Sequence, residues 1–299
     1  MGRQATSEPQ LVTDVDLPQP YDADSVLGFL RPRVVKGIER LDGRSYTRTV
    51  RLPAGPARIE LDLGEATVAV RLWLSDPADQ PAAMLRVRWS LDLDTDVAAV
   101  DAHLARDPRL AGSVAAHPGL RVPGHLDGFE VAVRAIVGQQ ISVAGARTIV
   151  GRIVDAYGED LPCCIGGDDT APDRLFPRPE VLADVDPGEF PMPRARGRAL
   201  VAVAEAVASG AVVLERGVDR AVTRRELLAL PGIGPWTADY IALRALGDPD
   251  VFLPGDLGVR QGLARMGLGQ SAEEIARSWS PWRSYALMHV WQQLSAGPA

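Results

Sequence analysis

Residues 227–256, LLALPGIGPWTADYIALRALGDPDVFLPGD, restrict the fold more than any other stretch of the chain. Leu227, Leu228 and Leu230 close one apolar segment. Pro231-Gly232-Ile233-Gly234-Pro235 cannot extend it as regular helix, because proline lacks a donor and glycine favours turn geometry. From Trp236 the apolar positions Ile241, Leu243 and Leu246 return at helical spacing, with Pro235 suited to a first turn. The segment predicts a helix, a tight hairpin and a second helix, followed by a lone carboxylate, Asp256, on a Pro-Gly turn. The first amides of the second helix would then point outward unpaired, a geometry that binds phosphate. Two glycines in such a turn also serve plain close packing, and short Gly-x-Gly matches are common. The flanking apolar run, the Pro-Trp-Thr-Ala that follows and the Pro-Gly-Asp turn favour the phosphate reading.

Ahead of this centre the chain changes character. Ser45–Pro53, Ala57–Leu63, Ala66–Leu74 and Ala83–Trp89 alternate apolar and polar residues between Gly, Pro and Asp breaks, the pattern of half-buried antiparallel strands. A short helix is expected over Asp24–Arg33. After Asp92 the period becomes helical: Val97–Leu104, Arg109–Ala115, two helices within Phe129–Ala156 joined at Gly138-Gln139-Gln140 with Ser142 as cap, Pro179–Ala183 and Arg194–Ser209. Thr223–Ala229, Gly258–Met266, Ser271–Ser278 and Pro281–Leu294 complete the helical set. Residues 158–179, rich in Gly, Pro and Asp, predict an irregular loop. The fold class is α+β: an N-terminal antiparallel sheet domain with helices (1–100), then two mostly helical domains (124–248, and 101–123 with 249–299) with a cleft expected between them.

The formal charge of −7 argues against a protein that coats nucleic acid, since non-specific affinity comes from neutralised phosphates. Its distribution matters more. From Met192 onward 12 arginines face 10 carboxylates, so the remaining residues carry 20 cations against 29 anions and hold the surplus. Local DNA binding through backbone amides and a few arginines stays open. The arginines in the first turn of Arg194–Ser209 oppose the helix dipole, which a nearby phosphate would offset; a solvated basic turn is the alternative. No apolar run approaches a membrane span and the opening MGRQATSEPQ has no signal features, so a cytoplasmic monomer is expected. Cys163 and Cys164 are adjacent, which disfavours a relaxed disulfide, and stand at no zinc-ligand spacing; two reduced thiols in a loop are expected.

Asp256 follows Pro-Gly before an apolar stretch, an ordinary helix-capping arrangement that still leaves one oxygen able to face a cleft. Trp236 and Tyr240, four apart on one face directly after the hairpin, and Trp291 could be core. Beside an aspartate they would also suit an electron-poor or cationic heterocycle.

With those residues in view the chain resembles the helix-hairpin-helix DNA glycosylase superfamily. LPGIGPWTADYIALRALGDPDVFLPGD is similar to its hairpin and downstream aspartate, while residues 20–35, 128–144 and 279–291 resemble the DNA-3-methyladenine glycosylase II branch. The resemblance runs from about residue 20 to 291 in four ordered motifs. It implies base excision repair of double-stranded DNA: an alkylated purine is flipped out, its N-glycosidic bond is hydrolysed and an abasic site is left. Asp256 matches the catalytic aspartate, Trp236, Tyr240 and Trp291 the aromatic base pocket, and Arg33 an arginine near it. Gly232, Ile233 and Gly234 match the DNA-gripping hairpin. Gln139 and Gln140 lie where a residue fills the gap left by the flipped base. Strand-cutting superfamily members carry a lysine at the place of Trp236, to form a Schiff base; here the single lysine is Lys36, so a monofunctional enzyme without lyase activity is expected. No cofactor is expected. An iron–sulfur cluster would need four cysteines, and the resemblance leaves open a monovalent cation at the hairpin backbone, at Leu230 and Gly232. Two other readings compete: a non-catalytic hairpin tether, which leaves the convergence of Asp256 with the aromatics unexplained, and a glycosylase for oxidised or mismatched bases.

Overall fold

The computed structural model describes residues 8–165, 170–268 and 272–295. Part of the opening segment (1–7), part of the Gly/Asp-rich loop (166–169) and Ser271, expected to begin a helix, lie outside the described residues. Five strands form one antiparallel sheet in the order β1-β5-β4-β3-β2, with β1 at Leu11–Asp16, β2 at Glu39–Asp42, β3 at Ser45–Leu52, β4 at Gly55–Leu63 and β5 at Thr67–Leu74. Two-residue connections set the register, with Asp42 opposite Ser45 and Leu52 opposite Gly55. The period of two sends Ala57, Ile59, Leu61 and Leu63 of β4 and Val68, Val70 and Leu72 of β5 into a single core. Helix α1 (Ala23–Leu30), capped by Asp22, adds Val26 and Leu27 to that core and runs on into one 3-10 turn over Arg31–Arg33.

One expected strand is a helix. Ala83–Trp89 lies inside α2 (Gln80–Ser90), where Ala83 and Val87, four apart, are fully buried while Leu85 is 44% exposed. Alternation would have buried Leu85 with them. Pro81 supplies the reason: it lacks the N–H a ladder needs and suits a helix first turn. The short strands β1 and β2 escaped the sequence reading altogether.

Helices build the rest: α3 (Val97–Leu104), α4 (Pro108–Ala116), α5 (Gly128–Val137) and α6 (Val143–Tyr157). The pair of short strands β6 (Glu159–Asp160) and β7 (Arg174–Leu175) precedes α7 (Pro179–Ala183), α8 (Arg194–Ala208), α9 (Arg220–Ala229) and α10 (Pro235–Arg244). α11 (Leu257–Arg265), α12 (Ala272–Arg277) and α13 (Arg283–Ser295) follow. Helix α5 sits at the centre, apolar nearly all round and packed against α6, α8 and α10, which is how a helix without a polar face is accommodated. One apolar core runs through these helices from Val97 to Val290 and takes in Val35 and Ile38 from the N-terminal region. Among the described residues no helix is long and apolar enough to cross a membrane.

The described part of the 158–179 loop is more ordered than its composition suggests. It lies over the outer face of the sheet, where Leu161, Ile165 and Leu175 bury Trp73 of β5 and Thr49 donates to the Arg174 carbonyl. Arg174 in turn donates to the carbonyls of Val154 and Gly158 at the end of α6. The two cysteines are free and exposed on this loop.

Candidate active site

Helix α9 ends at Ala229 and α10 begins at Pro235, so the glycine-rich segment is the expected hairpin. Its two glycines serve different needs. Gly232 has φ of +78°, and a Cβ there would stand 2.7 Å from the Cβ of Ala199 on α8, so the turn against α8 admits only glycine. Gly234 has an extended backbone open to any residue, with nothing within 4 Å of an added Cβ. Buried Ile233 anchors the loop between them. Among the described residues the N–H groups of Gly232 and Gly234 donate no backbone hydrogen bond, so they remain available to an outside acceptor.

The link between α5 and α6 meets this hairpin. Gln139 donates to the Gly232 carbonyl at 3.3 Å and to Thr237 Oγ1 at 2.9 Å, tying its side chain down. Gln140 is exposed and holds φ of +58°, a conformation that costs a side-chain-bearing residue about 1–2 kcal/mol. Ser142 caps α6, as its position suggested, by accepting from Gly145 N. The arginine turn of α8 lies alongside. Arg194 pairs with Asp186, Arg196 donates to the Val137 carbonyl at the end of α5, and Arg198 is exposed.

Asp256 caps α11, its Oδ1 accepting from Val259 N at 2.9 Å. Both flanking indoles also reach it. Trp291 Nε1 donates to Oδ1 at 3.1 Å, and Trp236 Nε1 to Oδ2 at 3.1 Å. The carboxylate, half-buried, heads a cleft of about 1050 Å³ whose walls include Phe29, Arg33, Trp236, Tyr240 and Trp291. That volume is at the upper end for ligand pockets. Trp236 and Tyr240 stack with centroids 5.4 Å apart at 23°. Of the other aromatics on α13 and just before it, Tyr285 bonds Asp92 and Thr95 and His289 bonds Ser113, so they brace the core.

Phe29 and Arg244 are cleft residues that the sequence did not single out. Phe29 lies under the Arg33 guanidinium at 3.7 Å and that of Arg244 at 4.5 Å, and its ring is 6.1 Å from that of Trp291. Arg244 is buried and donates to Tyr240 Oη at 3.3 Å and to the carbonyls of Pro123 and Gly124. Burial pushes the Tyr240 phenol up, yet Arg244 and Arg33 outweigh it and the net displacement is downward. Burial lowers Arg33 itself.

Behind the cleft is a buried charge network. Arg48 of β3 donates to Glu130 at 2.6 Å and Arg134 reaches Glu39 at 2.6 Å and the Arg33 carbonyl at 2.8 Å. Burial works against both carboxylates, but the arginines beside them hold Glu39 and Glu130 below the ordinary range. His125 is displaced well below its usual value by burial, then by Arg48, Arg134 and Arg244. Glu39, His125 and Glu130 converge as metal ligands would, within 4.8 Å, yet two guanidiniums already occupy that space. A signal for this network was in the sequence: Glu130 and Arg134, four apart, are the only charges in the apolar run Phe129–Val137.

Comparison with known proteins shows the family. The family model described as the AlkA N-terminal domain matches residues 14–127, and that of the HhH-GPD superfamily base excision DNA repair proteins matches residues 133–284, about half of the chain. The chain belongs to the HhH-GPD superfamily. Within it, the chain is 35% identical over 277 residues to DNA-3-methyladenine glycosylase 2 of Escherichia coli (strain K12), covering 91% of this chain and 94% of that protein. It is 40% identical over 278 residues to the probable bifunctional transcriptional activator/DNA repair enzyme AlkA of Mycobacterium tuberculosis, covering 92% of this chain but 55% of that one. The chain thus spans about half the length of that relative. Among solved structures, 3-methyladenine DNA-glycosylase from Archaeoglobus fulgidus shares the HhH-GPD fold, with a TM-score of 0.78 at 20% identity over 93% of this chain and 97% of that one.

Proposed function

We propose that this HhH-GPD protein is a monofunctional DNA glycosylase that hydrolyses the N-glycosidic bond of alkylated purines, of the 3-methyladenine and 7-methylguanine type, and leaves an abasic site. The observation that carries the proposal is the Asp256 carboxylate, gripped by the indoles of Trp236 and Trp291 at the head of an aromatic cleft. Alkylation at purine N3 or N7 makes the base cationic, so it departs without a strong general acid. The enzyme's task is then to stabilise the cationic sugar developing at C1′, which a fixed carboxylate does electrostatically while it orients water. Stacked aromatic faces suit the electron-poor base once it has left the duplex.

The partner is double-stranded DNA, held at the open amides of Gly232 and Gly234, with Ile233 anchoring the turn. Gln140 is the residue that enters the gap, because Gln139 is engaged by the hairpin. The carbonyls of Leu230 and Gly232 each accept one hydrogen bond and keep a lone pair, which fits a monovalent cation. Such an ion would add positive charge facing a phosphate. Lyase chemistry lacks its amine, since Lys36 is the single lysine and does not line the cleft. The protein acts as a monomer in the cytoplasm, with the cleft between the helical parts 124–248 and 101–123 plus 249–299 and walled on a further side by Phe29 and Arg33 of the N-terminal region.

Incubation with methylated duplex DNA, followed by chromatography of freed bases, tests this directly. The wild-type protein releases methylpurines, and Asp256→Asn binds the lesion duplex but releases none. Release at the wild-type rate from that variant refutes the catalytic assignment. A protein that binds DNA yet frees no base from any lesion would be a tether instead, and release confined to oxidised bases would move the substrate class.

A further inference from the structure

A carboxylate has four lone-pair positions, two on each oxygen. Among the described residues three are filled. Val259 N–H at 2.9 Å and Trp291 Nε1 at 3.1 Å both donate to Oδ1 of Asp256, whereas Oδ2 receives Trp236 Nε1 alone, at 3.1 Å. The fourth position is therefore on Oδ2. The donors come from three helices, α11, α13 and α10, so rotation of the carboxylate would break contacts to all of them at once. Gly258 makes the approach of Trp291 feasible: a Cβ there would stand 3.1 Å from Asp256 Oδ1 and 3.2 Å from Trp291 Nε1, tighter than side chains ordinarily pack.

We infer that Trp236 and Trp291 are positioning residues as well as walls of the cleft: their indole N–H groups clamp Asp256 so that Oδ2 alone meets the reacting sugar or its water. The inference rests on the glycosylase reading of the site. Oδ1, with both positions filled, is a structural oxygen. The charge on Oδ2 is held in place before substrate arrives, which is the condition under which electrostatic stabilisation carries no reorganisation cost. A stacking wall would need only the ring; a clamp needs the N–H.

Two measurements separate these roles. In ¹⁵N-labelled protein the indole resonances of Trp236 and Trp291 are expected to move in Asp256→Ala, while the other four indoles stay. In Asp256→Asn, whose remaining carbonyl oxygen can still cap α11, Trp236 is expected to move further than Trp291. If neither resonance responds to either substitution, the clamp is refuted, whatever the activity. With lesion duplex in single turnover, Trp236→Phe and Trp291→Phe keep an aromatic ring and remove the donor. Each is expected to slow base release about ten- to a hundredfold, as for a lost hydrogen bond to a charged group, with Kd for the duplex changed less than about threefold. A defect confined to Kd refutes the clamp and leaves both residues as walls. Should a phenylalanine variant fail to fold, the indole resonances decide. Should wild-type protein free no base from any lesion, the glycosylase reading falls while the resonance result still tests the clamp.

Discussion

The two hairpin glycines make opposite predictions when each is replaced by alanine. At Gly232 the backbone has φ of +78°, which costs an L-residue about 1–2 kcal/mol. The new Cβ would also stand 2.7 Å from the Cβ of Ala199, on a helix backbone with little freedom to yield. Overpacking of that kind adds about 1–3 kcal/mol, so Gly232→Ala is expected to lose about 2–5 kcal/mol in all. Gly234 has φ of −92° and ψ of 175°, with open space around the added methyl. Alanine there restricts the unfolded chain without straining the folded one, a gain of about 0.4–1 kcal/mol. Urea unfolding midpoints measure both signs. Duplex binding, followed by fluorescence anisotropy, supplies the second axis. If the Gly234 amide faces a phosphate, the methyl that is harmless to the protein intrudes on the DNA, and affinity falls about 10- to 100-fold, the loss of a charge-assisted hydrogen bond. A Gly234→Ala protein that is stable and binds DNA as wild type does would refute the phosphate reading of the hairpin. One that unfolds as readily as Gly232→Ala would refute the assignment of separate roles.

The glutamines at the α5–α6 link divide in a similar way. Gln140→Ala is expected to keep its fold but lose the fluorescence rise of 2-aminopurine placed beside the lesion, whereas Gln139→Ala loosens the hairpin by about 1 kcal/mol through its lost hydrogen bonds. In the buried network, Arg48→Met leaves two buried carboxylates, Glu130 and Glu39, to the single cation Arg134 and is expected to cost about 3–5 kcal/mol in urea unfolding, more than truncation of any exposed pair such as Arg194–Asp186. Stability is also expected to fall with acid. His289 is pushed down to about 4 by burial and then by His117, so the unfolded chain binds its proton first. That contribution is complete above about pH 6.5 and disappears as pH falls toward 4, about 3 kcal/mol in all. Buried His125 acts in the same direction, so His289→Gln is expected to flatten the unfolding-versus-pH curve in that window only in part.

Much of this protein was legible before its coordinates, for identifiable reasons. The hairpin, the caps at Ser142 and Asp256 and the period-two strands β3–β5 are governed by residues near one another in the chain, where proline, glycine and side-chain oxygens act on their own backbone. What was missed depends on distant partners. Ala83–Trp89 alternates like a strand, and only Pro81 with the burial of Ala83 and Val87 against the sheet core shows otherwise. The 158–179 loop looks irregular because its order is borrowed from Trp73 and Thr49 on the sheet, more than 80 residues earlier. At the candidate site, Asp256 and the aromatics were visible as types at a spacing, but that both indoles aim their N–H groups at one carboxylate depends on how α10, α11 and α13 cross.

The buried charges explain why the sheet belongs to the site at all. Arg48 projects from β3, a strand with no residue in the cleft, yet it fixes Glu130 on α5 at 2.6 Å. One turn along α5, Arg134 binds the same glutamate at 2.7 Å and donates to the Arg33 carbonyl at 2.8 Å, at the end of the 3-10 turn that follows α1. Arg33 and Phe29, from that turn and α1, then form the wall facing Trp236 and Trp291. Uncompensated burial of four such charges would be prohibitive, and it is tolerated only because each carboxylate accepts from both arginines and no partner is spare. Such a network permits one relative placement of sheet, α5 and α1. A cleft assembled across two hydrophobic cores is thereby braced, as the proposed pocket for a single flipped base requires.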